Sequence, residues 1–150
     1  MDGVSSYDSI TLGILWDKLI SIVDEAFSVL THISFSTVLR ETFDCSCTIL
    51  DSKGRSLAEA TNAVPSFLGT MKYTAQHCLA KFPPSQLMPM DVIATTDPWI
   101  GTGHLYDINM IMPIFHEDEL IAYAGIIAHL PDMGGSRLGG SSREVYEEGL

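Results

Sequence analysis

Apolar residues recur at three- and four-residue steps along residues 10 to about 34: Ile10, Ile14, Leu15, Leu19, Ile22, Val23, Ala26, Phe27 and Leu30. That period predicts a long amphipathic helix, with Asp8 or Ser9 as its cap and the stripe as its core face. The pattern then shortens to alternation. Residues 45–50 predict a strand, Asp51-Ser52-Lys53-Gly54 a turn, and residues 55–60 the second strand of a hairpin. Residues 67–81 predict a second helix, capped by Ser66 and stopped by Pro83-Pro84, because proline lacks the amide donor. Residues 90–95 read as a strand. Residues 108–115 and 120–128 read as two more, joined by the polar turn His116-Glu117-Asp118-Glu119. The order predicts an α+β fold: a long N-terminal helix, and β-hairpins in a mixed or antiparallel sheet with a second helix.

Glycine and proline concentrate in the loops at residues 97–107 and 132–142; one His-x-x-Asp element ends the first loop and another leads from a strand end into the second. These are His104-Leu105-Tyr106-Asp107 and His129-Leu130-Pro131-Asp132, 25 residues apart. Antiparallel strands bring the start of one beside the end of the next, so all four groups are expected at one end of the hairpin. Imidazole and carboxylate are the donors of a divalent metal site that keeps an open position. Solvated loop histidines and turn-forming aspartates are the alternative. Asp44, in a segment that otherwise reads as buried, is either a turn residue or a carboxylate that needs Arg40, a backbone amide or a metal as partner. Gly134-Gly135 and Gly139-Gly140, with Arg137 and Arg143 nearby, read as a Gly-rich lid or plain loop, or as an anion-binding backbone. His32, His77 and His116 show no partner pattern.

Charge and cysteines narrow the partners. Nineteen acidic residues against eight basic give a net charge of −11. Nucleic acid and anionic membranes need clustered Lys and Arg and are not expected partners. No apolar run is long enough to span a membrane, and the N-terminus lacks the basic and apolar regions of a signal peptide. Cys45, Cys47 and Cys78 have no zinc spacing and read as buried thiols of a cytoplasmic protein.

Several ordered motifs resemble the hydantoinase B/oxoprolinase family, which includes the larger subunits of acetone-type carboxylases. Residues 11–30 resemble its opening helix, and Arg40-Glu41-Thr42-Phe43-Asp44-Cys45-Ser46-Cys47 resembles its R-E-x-x-D-x-S-C element. Residues 51–55 resemble the turn that follows. Residues 97–107 resemble N-D-P-Y-x-G-G-T-H-L-P-D, residues 129–135 resemble H-H-x-D-x-G-G, and residues 144–150 resemble E-I-Y-Q-E-G-L. Thr96, Gly101-Thr102-Gly103, Tyr106 and Leu130 depart from those patterns, but both His-x-x-Asp spacings survive.

The resemblance implies ATP-dependent opening of a cyclic amide such as a hydantoin or 5-oxoproline, or ATP-dependent ketone carboxylation. It implies a hetero-oligomer in which a hydantoinase A-like partner uses the ATP and this part holds a divalent ion (Zn, Mn or Fe). Asp44, His104, Asp107 and His129 are the implied metal ligands. Asp132 is expected as a further ligand or an orienting group, and Asp132 or Asp97 as the proton acceptor. Residues 1–150 are then expected to be an N-terminal portion of a larger domain, cut at its C-terminal end, and the rival to an active part is an inactive fragment that only binds the partner subunit.

Overall fold

The computed structural model describes residues 7–131, 133–136 and 141–149. Helix α1 is Ser9–Ile33, capped by the Asp8 carboxylate, which accepts from the Ile10 and Thr11 amides. A short helix α2 (Thr37–Thr42) follows, capped by Ser36. Strands β1 (Cys45–Asp51) and β2 (Ser56–Glu59) form the first hairpin. Helix α3 (Met71–Lys81) and strand β3 (Ile93–Thr95) lead to the second hairpin, β4 (Asp107–His116) and β5 (Glu119–His129). Among the described residues every strand pairing is antiparallel, and the sheet order is β2-β1-β5-β4-β3. The fold is α+β, as expected. No described helix is long and apolar enough to cross a membrane.

Three local expectations change. Helix α3 starts at Met71 rather than residue 67, because Pro65–Phe67 closes only a 3₁₀ turn and Gly69 has φ +74°. Ser66 therefore does not cap it, and Thr70 stands at its N-terminus. Strand β3 begins at Ile93, since Met90 has φ +74° and lies in the preceding turn. The α1 stripe is only partly core. Val23 and Phe27 are buried, whereas Ile10, Ile14, Leu15 and Ile22 are exposed.

The two faces of the sheet have separate cores. On one face, Val23 and Phe27 of α1 join Leu39, Cys45, Cys47, Ala58 and Ala128. Burying side chains of this size stabilises by about 1.5–3 kcal/mol each. On the other face, Met71, Ala75 and Cys78 of α3 meet Leu50, Ile111, Tyr123 and Ile127. Gly125 of β5 lets α3 close on the sheet, for a Cβ there would lie 2.7 Å from Met71 Cγ.

Two predictions follow from this packing. Gly125→Ala forces buried Met71 aside, so it should destabilise the chain by about 1–3 kcal/mol in urea unfolding. Gly13→Ala, where nothing lies within 4 Å, should stabilise α1 by about 0.5–1 kcal/mol. All three cysteines are free and buried. Burial pushes the Cys45 thiol up to about 11, with Asp44 adding to the effect, and pushes Cys47 up to about 12, with Cys45 adding. Iodoacetamide at pH 8 should therefore label neither in the folded chain and both in denaturant, since the thiolate is the nucleophile. Fast labelling of the folded chain would contradict this.

Candidate metal centre

One end of the sheet gathers the polar groups. Asp107 opens β4 and pairs in register with His129, which closes β5. On the other side of β5, the His129 amide donates to the Asp44 carbonyl at 3.0 Å. Side chains in such a cross-strand row point to one face. The row Asp44, His129, Asp107 thus shares the α3 face, and the preceding loop brings His104 to it.

The contacts are short. His104 Nε2 lies 3.0 Å from Asp107 Oδ2, and His129 Nδ1 lies 3.1 Å from Asp107 Oδ1. His129 Nδ1 is 3.7 Å from Asp44 Oδ2. Candidate ligand atoms of His104, Asp107 and His129 all lie within 4.8 Å of one another, so the three can hold a metal ion. Asp107 is 3% exposed, so its charge is held away from bulk water by two imidazoles and the Thr102 hydroxyl, which donates at 2.6 Å. Burial pushes the Asp44 carboxyl above its usual range and Asp107 adds to this, while His129 and His104 oppose it. His104 Nδ1 is buried without a hydrogen-bond partner among the described residues. Clustered carboxylates and imidazoles, with one imidazole nitrogen unanswered, make a donor set that fits a divalent cation.

The loop before β4 shows why its residues are small. Gly103 has φ +104°, a conformation side chains resist, and it precedes His104. A Cβ on Gly101 would sit 2.8 Å from Asn109 Nδ2. Thr102 stands between them and orients Asp107. The departure to Gly-Thr-Gly thus supplies both backbone freedom and a hydroxyl.

Tyr106 is 1% exposed and stacks on the His129 ring at 5.5 Å, and its hydroxyl donates to the Gly134 carbonyl at 3.1 Å. Glu148 is 7% exposed, and its carboxylate accepts from the Leu105 amide at 2.7 Å. A segment more than 40 residues away thereby pins the His104 loop. Residue spacing gave no signal for Glu148 or for the stacking by Tyr106.

Not every expected residue joins the cluster. Asp97 is exposed, and its Oδ1 accepts from the Trp99 amide at 2.9 Å, which is turn-forming work. It does not line the cleft of about 500 Å³ formed by Asp44, Val64, Ser66, Phe67, Thr102, His104, Asp107 and His129. Asp132 lies outside the described residues, as do Arg137, Gly139 and Gly140.

Comparison with known proteins gives this geometry its context. Residues 8–150 match the family described as hydantoinase B/oxoprolinase. The chain belongs to the hydantoinase B/oxoprolinase family. It is 40% identical over 146 residues to a 5-oxoprolinase of Saccharomyces cerevisiae, covering 95% of this chain and 11% of that protein. A solved structure of nucleotide-free acetone carboxylase, described as performing ATP-dependent carboxylation, superposes with TM-score 0.75 at 27% identity, covering 85% of this chain and 17% of that one. The ATP-dependent caprolactamase of Pseudomonas jessenii superposes with TM-score 0.73 at 25% identity, covering 97% and 25%. The chain therefore spans a small part of the length of these relatives.

The Glu148 contact is testable. Glu148→Ala leaves the Leu105 amide without its acceptor and should cost about 1–3 kcal/mol of stability. Glu148→Gln keeps an acceptor and should lose less. Equal stability of all three chains in urea unfolding would contradict the pinning role.

Proposed function

We propose that this chain carries the metal-holding part of an ATP-dependent enzyme that opens cyclic amides. In this reading it hydrolyses a substrate activated by a hydantoinase A-like, ATP-handling partner within a hetero-oligomer. The observation that carries the reading is the convergence of His104, Asp107 and His129 at the mouth of one cleft, with Asp44 beside them. His104, Asp107, His129 and Asp44 would hold the ion (Zn, Mn or Fe). When bound, a divalent ion supplies Lewis acidity, either lowering the pKa of water or polarising a carbonyl oxygen.

The chain's own residues do the rest. Thr102 fixes the Asp107 carboxylate, and Tyr106 fixes the plane of His129. Val64 and Phe67 form an apolar wall that suits the hydrocarbon part of a small ring. No lysine or arginine is among the described residues that line the cleft. The group proposed to enter there is the amide of such a ring. Asp132, three residues past His129, is the proposed proton acceptor. The free thiols fit a cytoplasmic, reducing setting.

A second reading, a subunit of an ATP-dependent acetone-type carboxylase, is favoured by the superposition on acetone carboxylase. Turnover of ATP by the full-length protein with its partner, given cyclic imides or a ketone plus bicarbonate, separates the two. His104→Ala and His129→Ala should each abolish stoichiometric metal and turnover together. Thr102→Val should weaken metal binding by about 10–100-fold, as expected for loss of a group that orients a ligand. Full occupancy with normal turnover in the His104/His129 double variant would contradict the proposal.

A further inference from the structure

Segments far apart in sequence meet beside the His104 loop. Leu105, next to His104, donates its amide to the Glu148 carboxylate at 2.7 Å. Tyr106 stacks on the His129 ring, its carbonyl accepts from the Leu130 amide at 2.7 Å, and its hydroxyl donates to the Gly134 carbonyl at 3.1 Å. The Ser136 amide then donates to the Glu147 carbonyl at 2.8 Å, which returns the path to Glu148. The contacts thus run in a closed circuit through residues 104–106, 129–130, 134–136 and 147–149. Two glycines close it. A Cβ on Gly149 would lie 2.6 Å from the Gly134 carbonyl carbon and 2.6 Å from the Gly135 nitrogen. A Cβ on Gly135 would run into the Glu147 carbonyl. Backbone approaches backbone this closely only where no side chain intervenes. Hydrophobic packing does not account for the junction. No side chain of residues 141–149 belongs to either core, and Val145 and Tyr146 are exposed. The junction instead buries the Glu148 carboxylate, at 7% exposure, and burying a carboxylate opposes folding unless a donor answers it. The Leu105 amide, beside a candidate metal ligand, is such a donor.

We propose that Gly135 and Gly149 are positioning residues of the metal centre. In this role, which rests on the metal reading above, they hold the Glu148 segment against the Gly134 loop. Glu148 then grips the Leu105 amide, and His104 keeps its reach toward Asp107 and His129. Neither glycine touches the ion. A side chain at either position would push residues 147–149 away from residues 134–136 and draw the Glu148 carboxylate off Leu105. The Gly134-Gly135 run works as a fixed joint rather than as a lid, and the Ser136 amide is used by Glu147 rather than offered to an anion. One joint thereby serves both imidazoles: Glu148 acts on the loop that carries His104, and Gly134 anchors the hydroxyl of the tyrosine that stacks on His129.

Cobalt(II) titration and hydrogen-exchange mass spectrometry of the full-length protein test this together. Gly149→Ala should weaken cobalt binding by about 10–100-fold, the loss expected when a group behind a ligand is removed. It should also speed exchange in peptides that hold the Leu105 amide, while peptides from the middle of β4 and β5 exchange as in the wild type. Gly135→Ala should match it. Glu148→Ala should have the same two effects without altering the backbone, so it carries the test if the glycine variants fail to fold. Adding Gly149→Ala to Glu148→Ala should lose little further affinity, because both act through one contact. Glu148→Gln, which keeps an acceptor, should retain most of it. Leu105 exchange at the wild-type rate in both Gly149→Ala and Glu148→Ala would overturn the joint. Faster exchange with undiminished cobalt affinity would overturn the positioning role, and fully additive losses would overturn the route through Glu148. A wild-type protein that takes up no cobalt would overturn the metal reading itself, whereas wild-type binding that survives every one of these substitutions overturns only the role of the glycines.

Discussion

The register between β1, β5 and β4 is the constraint on which the polar end of this protein depends. It sets Asp44, His129 and Asp107 side by side across three strands. Strand side chains alternate between faces, so a one-residue slip of β5 would carry His129 to the α1 side and leave Asp107 without its imidazole. Both faces of β5 oppose such a slip. Gly125 and Ile127 fit under α3, while Ile126 and Ala128 pack toward α1. The same packing that stabilises the fold thus fixes the geometry of the candidate centre.

His104 is positioned differently, because it comes from a loop rather than a strand. Gly101 lets the chain turn tightly against Asn109, Gly103 takes a positive φ, Thr102 ties the turn to Asp107, and Glu148 holds the Leu105 amide from the C-terminal side. A buried carboxylate is an expensive feature unless it is answered, and the Leu105 amide donates to Glu148. Its position beside a candidate ligand loop links residues 141–149 to the site through structure rather than through a donor to the ion.

Much of this was legible in the sequence, and the reasons are physical. Long periodic segments marked α1, β1, β4 and β5, because each buries at least one continuous face. The two His-x-x-Asp spacings marked His104, Asp107 and His129, because strand ends of a hairpin meet by necessity. The start of α3 was less legible, since Gly69 and the Pro65 turn interrupt a segment whose apolar content looks helical throughout. Helix α2 is too short to show a period. Asp97 illustrates the ambiguity of carboxylates in loops: its neighbour Pro98 and the amide of Trp99 make it a turn former. Along α1 the apolar period does not show that Val23 and Phe27 are buried while Ile22 is exposed.

Membership of the hydantoinase B/oxoprolinase family and likeness to two ATP-dependent enzymes give the site a chemical setting. The sheet-end row and the His104 loop are together the proposed metal centre, and His104, Asp107 and His129 lie close enough to hold one ion. Metal-edge X-ray absorption on the chain loaded with one equivalent of zinc tests it most directly. The account predicts a coordination shell of imidazole nitrogens and carboxylate oxygens, with the imidazole scattering reduced in His129→Ala. A shell dominated by sulfur, or one unchanged by that substitution, would contradict it.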